Sequence, residues 1–579
     1  MHSNSSSGTK VAVTRSSLSR PSSARAVLSG DAVRRHHPAP CLTLNRRPDH
    51  ARLGVSFQCV SGFAVCRGAG WSVAQWRFRG IVMRAKNELA FGCGVLLLVT
   101  AAGVSAAQSD NAVVAAAKAR DHNAVTALVA AQRDVNVPQP DGATALHWAS
   151  YWDALDTAQV LLDAGADVNA ANDYGVTALA LACDNGSAAL VTRLLQGGAD
   201  PNAARSTGET PVMTCARTGS LAAVEALLTA GAEPGGTESL RGQTALMWAA
   251  GEGHADVAGL LVVRGANVRA RTTGGYTALL IAAREDERDL AGLLLDAGAD
   301  VNATAPDGTT ALLVATVRGH ADLAILLLER GANPNSTEAG YTALHWAAGS
   351  WHTELTGRLR GIETGRDDEW RSMNEVRVGK LRLVDALLAN GADPQARLVK
   401  APPQFGYASG RFRVSLIGAT PFLLAAMDGN LDVMRALAVA GADPAIGTEE
   451  RTTPVMVAAG LGQVPAETRV QEQDSLAAVR LALELGADVN GANQVGRTAL
   501  HGAAHIRSDA VVQLLVDHGA RINVADERGI TPLMIAEGGG HILLPGLGGG
   551  TTADLLRALG GNETEPANST ELYSQGAIR

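Results

Sequence analysis

Apolar positions in this chain come in short paired bursts at helical spacing. In residues 173–203, DYGVTALALACDNGSAALVTRLLQGGADPNA, the residues Ala178, Leu179 and Ala182 make one narrow apolar face. A second face, Leu190, Val191, Leu194 and Leu195, falls on a helix running roughly from Ala188 to Leu195. Thr177 can cap the first helix through its hydroxyl, and Gly186 breaks the chain between the two. Gly198 suits the left-handed residue beyond a helix end, and Asp200, Pro201 and Asn202 lead into a turn. The pattern predicts two short helices and a turn. Neither helix carries enough apolar surface to form a core alone.

The same pattern recurs. Its marker, Thr followed two residues later by Leu or Val, with Phe422 in one copy, stands at Thr144, Thr177, Thr210, Thr244, Thr277, Thr310, Thr342, Thr420, Thr453, Thr498 and Thr531. Successive steps are 33, 33, 34, 33, 33, 32, 78, 33, 45 and 33 residues, an array with two interruptions. A unit that cannot bury its own face must bury it against the next copy. Small residues at Ala178, Ala182 and Cys183 would let that neighbour come close.

On these residues the unit resembles the ankyrin repeat. DGATALHWAS (141–150), RGQTALMWAAGEGH (241–254), PDGTTALLVATVRGH (306–320) and YTALHWAAG (341–349) carry the likeness, with tails such as LLDAGADVNA and LALELGADVN. Most copies have Ala where the family has Pro after the Thr, and His147, His345 and His501 keep the family's histidine. The resemblance implies an all-α ankyrin-repeat solenoid with insertions in its C-terminal half. It also implies structural roles for those three histidines within the turn network, and for His254 and His320 at the start of the second helix. Ala112–Asn136 has both helices without the Thr marker, as an N-terminal cap would. Setting the insertions aside, the chain holds about twelve repeats of roughly 33 residues.

The flanks read differently. Residues 1–82 hold twelve Lys/Arg against Asp31 and Asp49, many Ser and no periodicity, the composition of a disordered leader. From Met83, Arg84 and Lys86 form a basic region, Val95–Val104 an apolar core and Ser105-Ala106-Ala107 a small-residue exit. This is the layout of a secretory signal over 83–107, cleaved after Ala107. It makes Met83 the expected start of translation and the periplasm or the outside of a bacterial cell the expected location, with no stable membrane insertion once the signal is removed. A transit peptide and a retained signal anchor are the competing readings. The array is expected over 108–351 and 420–560, with an interrupted repeat over 352–419 and a disordered tail over 561–579. Further extra residues fall in QVPAETRVQEQD (463–474) and GGGHILLPGLGGG (538–550).

Charge is divided too. The leader and residues 83–107 are positive, so the net −8 of the chain leaves −19 from Gln108 onward, which disfavours a nucleic-acid partner. Of six cysteines only Cys183 and Cys215 lie in the array, in adjacent repeats. With neighbouring helix axes about 8–10 Å apart, two buried thiols are expected instead of a disulfide, and no metal-ligand spacing exists. GLGGGTT (546–552) lacks the lysine and preceding strand of a phosphate loop. His345, His352 and Glu354 form no metal cluster if His345 fills its structural slot. No constellation points to an enzyme, a metal or a cofactor.

Binding is the better expectation. In ankyrin-like stacks the hairpin tips and the ends of the first helices project onto a concave face. Carried onto this sequence, those slots hold Tyr151, Trp152, Arg217, Arg284, Arg318 and Trp351 at helix ends, and Tyr174, Arg241, Tyr276 and Tyr341 at hairpins. Tyr, Trp and Arg are over-represented in interface hot spots, and aromatic residues are only 4% of the chain. Trp148, Trp248 and Trp346, each one residue after the histidine slot, read as packing along the stack. The expected function is a monomeric scaffold that binds a partner protein. The alternative is a ligand-binding protein with a pocket formed by the 352–419 insertions.

Overall fold

The computed structural model of the protein describes residues 111–349, 377–400, 414–463, 470–538 and 550–562. The chain divides into two units, Met1–Glu88 and Leu89–Arg579, and every described residue belongs to the second. The leader, the signal segment, Trp351 and the tail from residue 563 lie outside the described residues, as do most of the predicted insertions.

Twelve helix pairs follow one another among the described residues. They run from Ala112–Lys118 with His122–Ala130 to Pro532–Ala536 with Thr551–Ala558. No strand is present among them beyond two isolated bridges, so the all-α repeat architecture expected from the sequence is the one observed. In the third pair the helices are Ala178–Asp184 and Ala188–Gln196, as the periodicity predicts. Thr177 caps the first by accepting from the N–H of Ala180 at 3.2 Å, and Ser187 caps the second by accepting from Leu190. Gly198 takes a φ of 88° past the second helix, where a side chain would be strained. The insertion within the tenth repeat runs into its second helix, Glu472–Glu484, which has 13 residues where most others have nine.

First helices pack on first helices and second helices on second helices from one repeat to the next. Their facing residues, such as Ala182, Cys215, Ala249 and Ala282, are fully buried and belong to one continuous core. The stack is unbroken at the long interruption: Ala343–Ala348 packs on Pro421–Met427, and Arg377–Ala389 packs on Leu431–Val439.

This close approach corrects the expectation for the cysteines. Cys183 and Cys215 form a disulfide with Cα atoms 4.6 Å apart, and both are fully buried. Helix axes about 8–10 Å apart still bring facing Cα atoms near bonding range, because each Cα stands about 2.3 Å off its axis toward the contact. Burial was read correctly from the sequence and the bonding state was not.

Polar bonds also run between repeats. An asparagine in most tails brackets the next turn: Asn169 donates to the carbonyl of Gly198 at 3.0 Å and accepts from the N–H of Asp200 at 2.8 Å. Asn136, Asn202, Asn302, Asn335, Asn490 and Asn523 make the same two kinds of bond, and Gln395 replaces asparagine in the eighth repeat. Gly235 and Ala445 occupy this slot in the fourth and ninth repeats and cannot form the bracket, and Arg269 in the fifth makes only the bond to the carbonyl of Gly298, at 2.9 Å. Hairpin tips are laddered as well, with Ser206 donating to Tyr174 and Thr273 to Arg241 through the backbone.

Asn302→Ala should therefore lower stability by about 1–2 kcal/mol through loss of both bonds. Ala445→Asn should raise it by about 0.5–1 kcal/mol. Urea unfolding of the two variants beside the parent checks both signs.

Candidate functional site

Each first helix ends on the same side of the stack, so its last residues form a row that crosses repeat boundaries. At the N-terminal end Tyr151 is 51% exposed and its ring meets Trp152 edge-on at 4.6 Å. Trp148 stands behind them, 5.8 Å from Tyr151. Two cations from the preceding repeat cover these rings: Lys118 lies 4.8 Å from the Trp148 centroid and the Arg120 guanidinium 3.6 Å from that of Trp152. The Trp152 indole also donates to the carbonyl of Lys118 at 3.2 Å. The aromatic patch is thus held in place by the repeat before it.

Further along, Asp184 is shared by Arg217, at 3.0 Å, and by Arg205. The Arg217 guanidinium lies 5.5 Å from the Trp248 ring. Arg284 pairs with Glu285 at 2.7 Å, and its carbonyl accepts from Arg318 at 3.4 Å. At the hairpins Tyr174 is 66% and Tyr276 44% exposed, and Arg241 is exposed beside Leu240. Tyr341 is only half-buried at its tip, packed edge-on against buried Trp346 at 5.6 Å, and burial raises its hydroxyl pKa. The structure therefore places Tyr151, Trp152, Arg217, Arg284 and Arg318 in one row, and Tyr174, Arg241 and Tyr276 at the hairpins. Trp148 and Trp248 pack along the stack as expected, and each also seats a cation.

The histidines are engaged with backbone. His147 Nδ1 accepts from the N–H of Thr144 at 3.1 Å, and Nε2 bonds the carbonyl of Val176 in the next hairpin at 2.8 Å. His345 reaches the carbonyls of Ala396 and Ala419, and His501 that of Ile530. An Nδ1 that accepts and an Nε2 that donates describe a neutral ring. Burial pushes His345 and His501 down to about 4 and lowers His147, against the opposing pull of these carbonyls. His254 and His320 open second helices and bond back to the carbonyls of Arg217 and Arg284, each at 3.2 Å. Among the described residues no group of three or more His, Cys, Asp or Glu is placed to hold a metal. The GLGGGTT segment is described only from Gly550, where it starts the last helix.

Three buried charges, Lys380, Arg497 and Asp526, were not picked out from the sequence. Lys380 donates to the carbonyl of Gly349 at 2.9 Å and lies 3.7 Å from Asp428. Arg497 pairs with Asp526 at 3.2 Å, both side chains nearly inaccessible. Above that pair lies a cavity of about 310 Å³ walled by Val414, Glu450, Leu461, Val495 and Glu527. Only Val414 comes from the interrupted stretch expected to form a pocket; the other walls are later repeats.

The geometry defines a helical-repeat protein whose units are stitched edge to edge. The family described as Ankyrin repeats (3 copies) matches residues 85–172, 169–238, 230–305, 293–363 and 469–544, and the single Ankyrin repeat matches 417–449. The chain belongs to the ankyrin-repeat family. It is similar to the human Ankyrin repeat domain-containing protein 63, 40% identical over 93 residues. That alignment covers 16% of this chain and 22% of the relative.

The buried histidines set a pH limit. A ring held near 4 in the fold and near 6.5 when unfolded is neutral in the fold while the unfolded chain takes up protons, so stability is full above pH 6.5 and falls toward pH 4. The loss is about 3 kcal/mol for each of His345 and His501. The urea midpoint should drop over that range, and His345→Gln with His501→Gln should flatten the drop.

Proposed function

We propose that this chain is an exported protein-interaction scaffold that grips a partner protein along the row of first-helix ends and hairpin tips. The observation that carries the reading is the Tyr151–Trp152 patch, in which Tyr151 is exposed and Trp152 is held by the Arg120 guanidinium and the Lys118 carbonyl. Large rings ordered before binding lose little freedom on contact, which is what a hot spot requires. The row continues through Arg217, Arg284 and Arg318, with Tyr174, Arg241 and Tyr276 beside it. Ankyrin repeats generally mediate protein–protein contact, which supports the same reading.

The partner is a protein rather than a nucleic acid. Residues 111–349 carry 26 Asp/Glu against 14 Lys/Arg, which repels a phosphate backbone. Export from a bacterial cell into the periplasm or beyond rests on the signal pattern over 83–107. The Cys183–Cys215 disulfide supports it, since such bonds persist mainly in oxidising compartments. No helix among the described residues is long and apolar enough to cross a membrane.

Affinity capture from an envelope fraction tests the surface. Tyr151→Ala with Trp152→Ala should reduce recovery of the bound protein by roughly 30-fold or more, the scale of a hot-spot loss. A variant of Val263, exposed on a second helix, should leave it unchanged. Equal recovery from the parent and the double variant would contradict the assignment. A mature N-terminus at Gln108, read by mass spectrometry, is the expected mark of export.

A further inference from the structure

The slots held by Cys183 and Cys215 are filled by small residues in the neighbouring repeats. Ala149 and Ser150, Ala249 and Ala250, and Ala282 and Ala283 occupy them in neighbouring repeats, all buried. None of these residues carries a thiol, so no covalent link joins those repeats there. Between the third and fourth repeats the same contact is covalent, with Cα atoms 4.6 Å apart at a sequence separation of 32.

The crosslink lies directly under a functional stretch of the row. Asp184 follows Cys183, and Arg217 stands two residues after Cys215. These two side chains form the 3.0 Å ion pair that Arg205 joins and that seats Arg217 over Trp248. The Thr218 hydroxyl bonds the carbonyls of Cys183, at 3.2 Å, and Cys215, at 3.1 Å, tying both ends of the crosslink to one side chain. Opening the two repeats would separate Asp184 from Arg217 and release Arg217 from its place.

We propose that Cys183–Cys215 is a redox-set clamp on the interaction row: oxidised, it fuses the third and fourth repeats and holds the Asp184–Arg205–Arg217–Trp248 cluster, and reduced, it lets that seam open locally. Formation joins the two sulfurs as the two thiols give up two protons and two electrons. A disulfide oxidant accepts them and is itself cleaved to two thiols. Because both cysteines are fully buried, the bond exchanges with an outside thiol only when the repeats part. The clamp is independent of which protein the row binds.

Hydrogen exchange on the full chain, equilibrated with oxidised glutathione or with dithiothreitol, tests the proposal. Non-reduced peptide mapping of the oxidised sample should recover the Cys183 and Cys215 peptides as one linked species, two hydrogens lighter than the separate thiols. Amides over 178–217 should exchange on the order of 100-fold more slowly in the oxidised sample, while those over 499–517 match in both. Cys183→Ala with Cys215→Ala should exchange over 178–217 as the reduced parent does, in either reagent. Separate thiols after glutathione treatment would overturn the clamp. So would equal exchange over 178–217 in the two parent samples, a shift of the same size over 499–517, or a redox difference that survives in the double variant, which would trace it to the leader cysteines.

Discussion

The contact between the small-residue faces of successive first helices is the constraint on which everything else rests. Ala182, Cys215, Ala249 and Ala282 are fully buried, although each belongs to a helix of only seven residues. Such a helix is too short to persist in water by itself. It survives because alanine lets the next copy come within van der Waals range, and the leucines of the second helices close the layer behind. Stability in such an array is a property of neighbours, not of any one unit.

Given that contact, the polar groups fall into two classes. Many of those that face a neighbour are satisfied across the repeat boundary: the asparagine brackets, the histidines that reach the next hairpin and the backbone ladder of the tips. Those that face away are free to differ, and there the chain places its rings and guanidinium groups. Even these are organised by the stack. Lys118, Arg120 and Arg217 each rest on a ring supplied by the following repeat, so the surface row is ordered by the interfaces beneath it.

The fold was legible because its period is written many times over. A single DYGVTALALACDNGS would leave helix boundaries open, whereas eleven phased copies fix the caps, the breaks and the core face together. The asparagine bracket was legible in principle, since Asn136, Asn169 and Asn202 recur at intervals of 33, yet spacing says nothing about what a side chain reaches. The disulfide was not legible from the spacing of helix axes, because each facing Cα stands about 2.3 Å off its axis toward the contact. Lys380 sits in the interrupted repeat, where no neighbouring copy predicts the environment, and Arg497 and Asp526 occupy hairpin slots whose residues differ from copy to copy. Of the candidate surface, Tyr151, Tyr174 and Tyr276 lie exposed at their slots. Tyr341 lies half-buried because its ring packs edge-on against Trp346, where the repeat of Tyr276 has Ile281.

Equilibrium unfolding of nested fragments tests the dependence on neighbours most directly, using residues 111–196, 111–263 and 111–329, which end after the third, fifth and seventh repeats. Each added pair of repeats should raise the denaturant midpoint, and a peptide of residues 173–203 should show no cooperative transition. A common midpoint for all three fragments, or a folded single unit, would contradict the account.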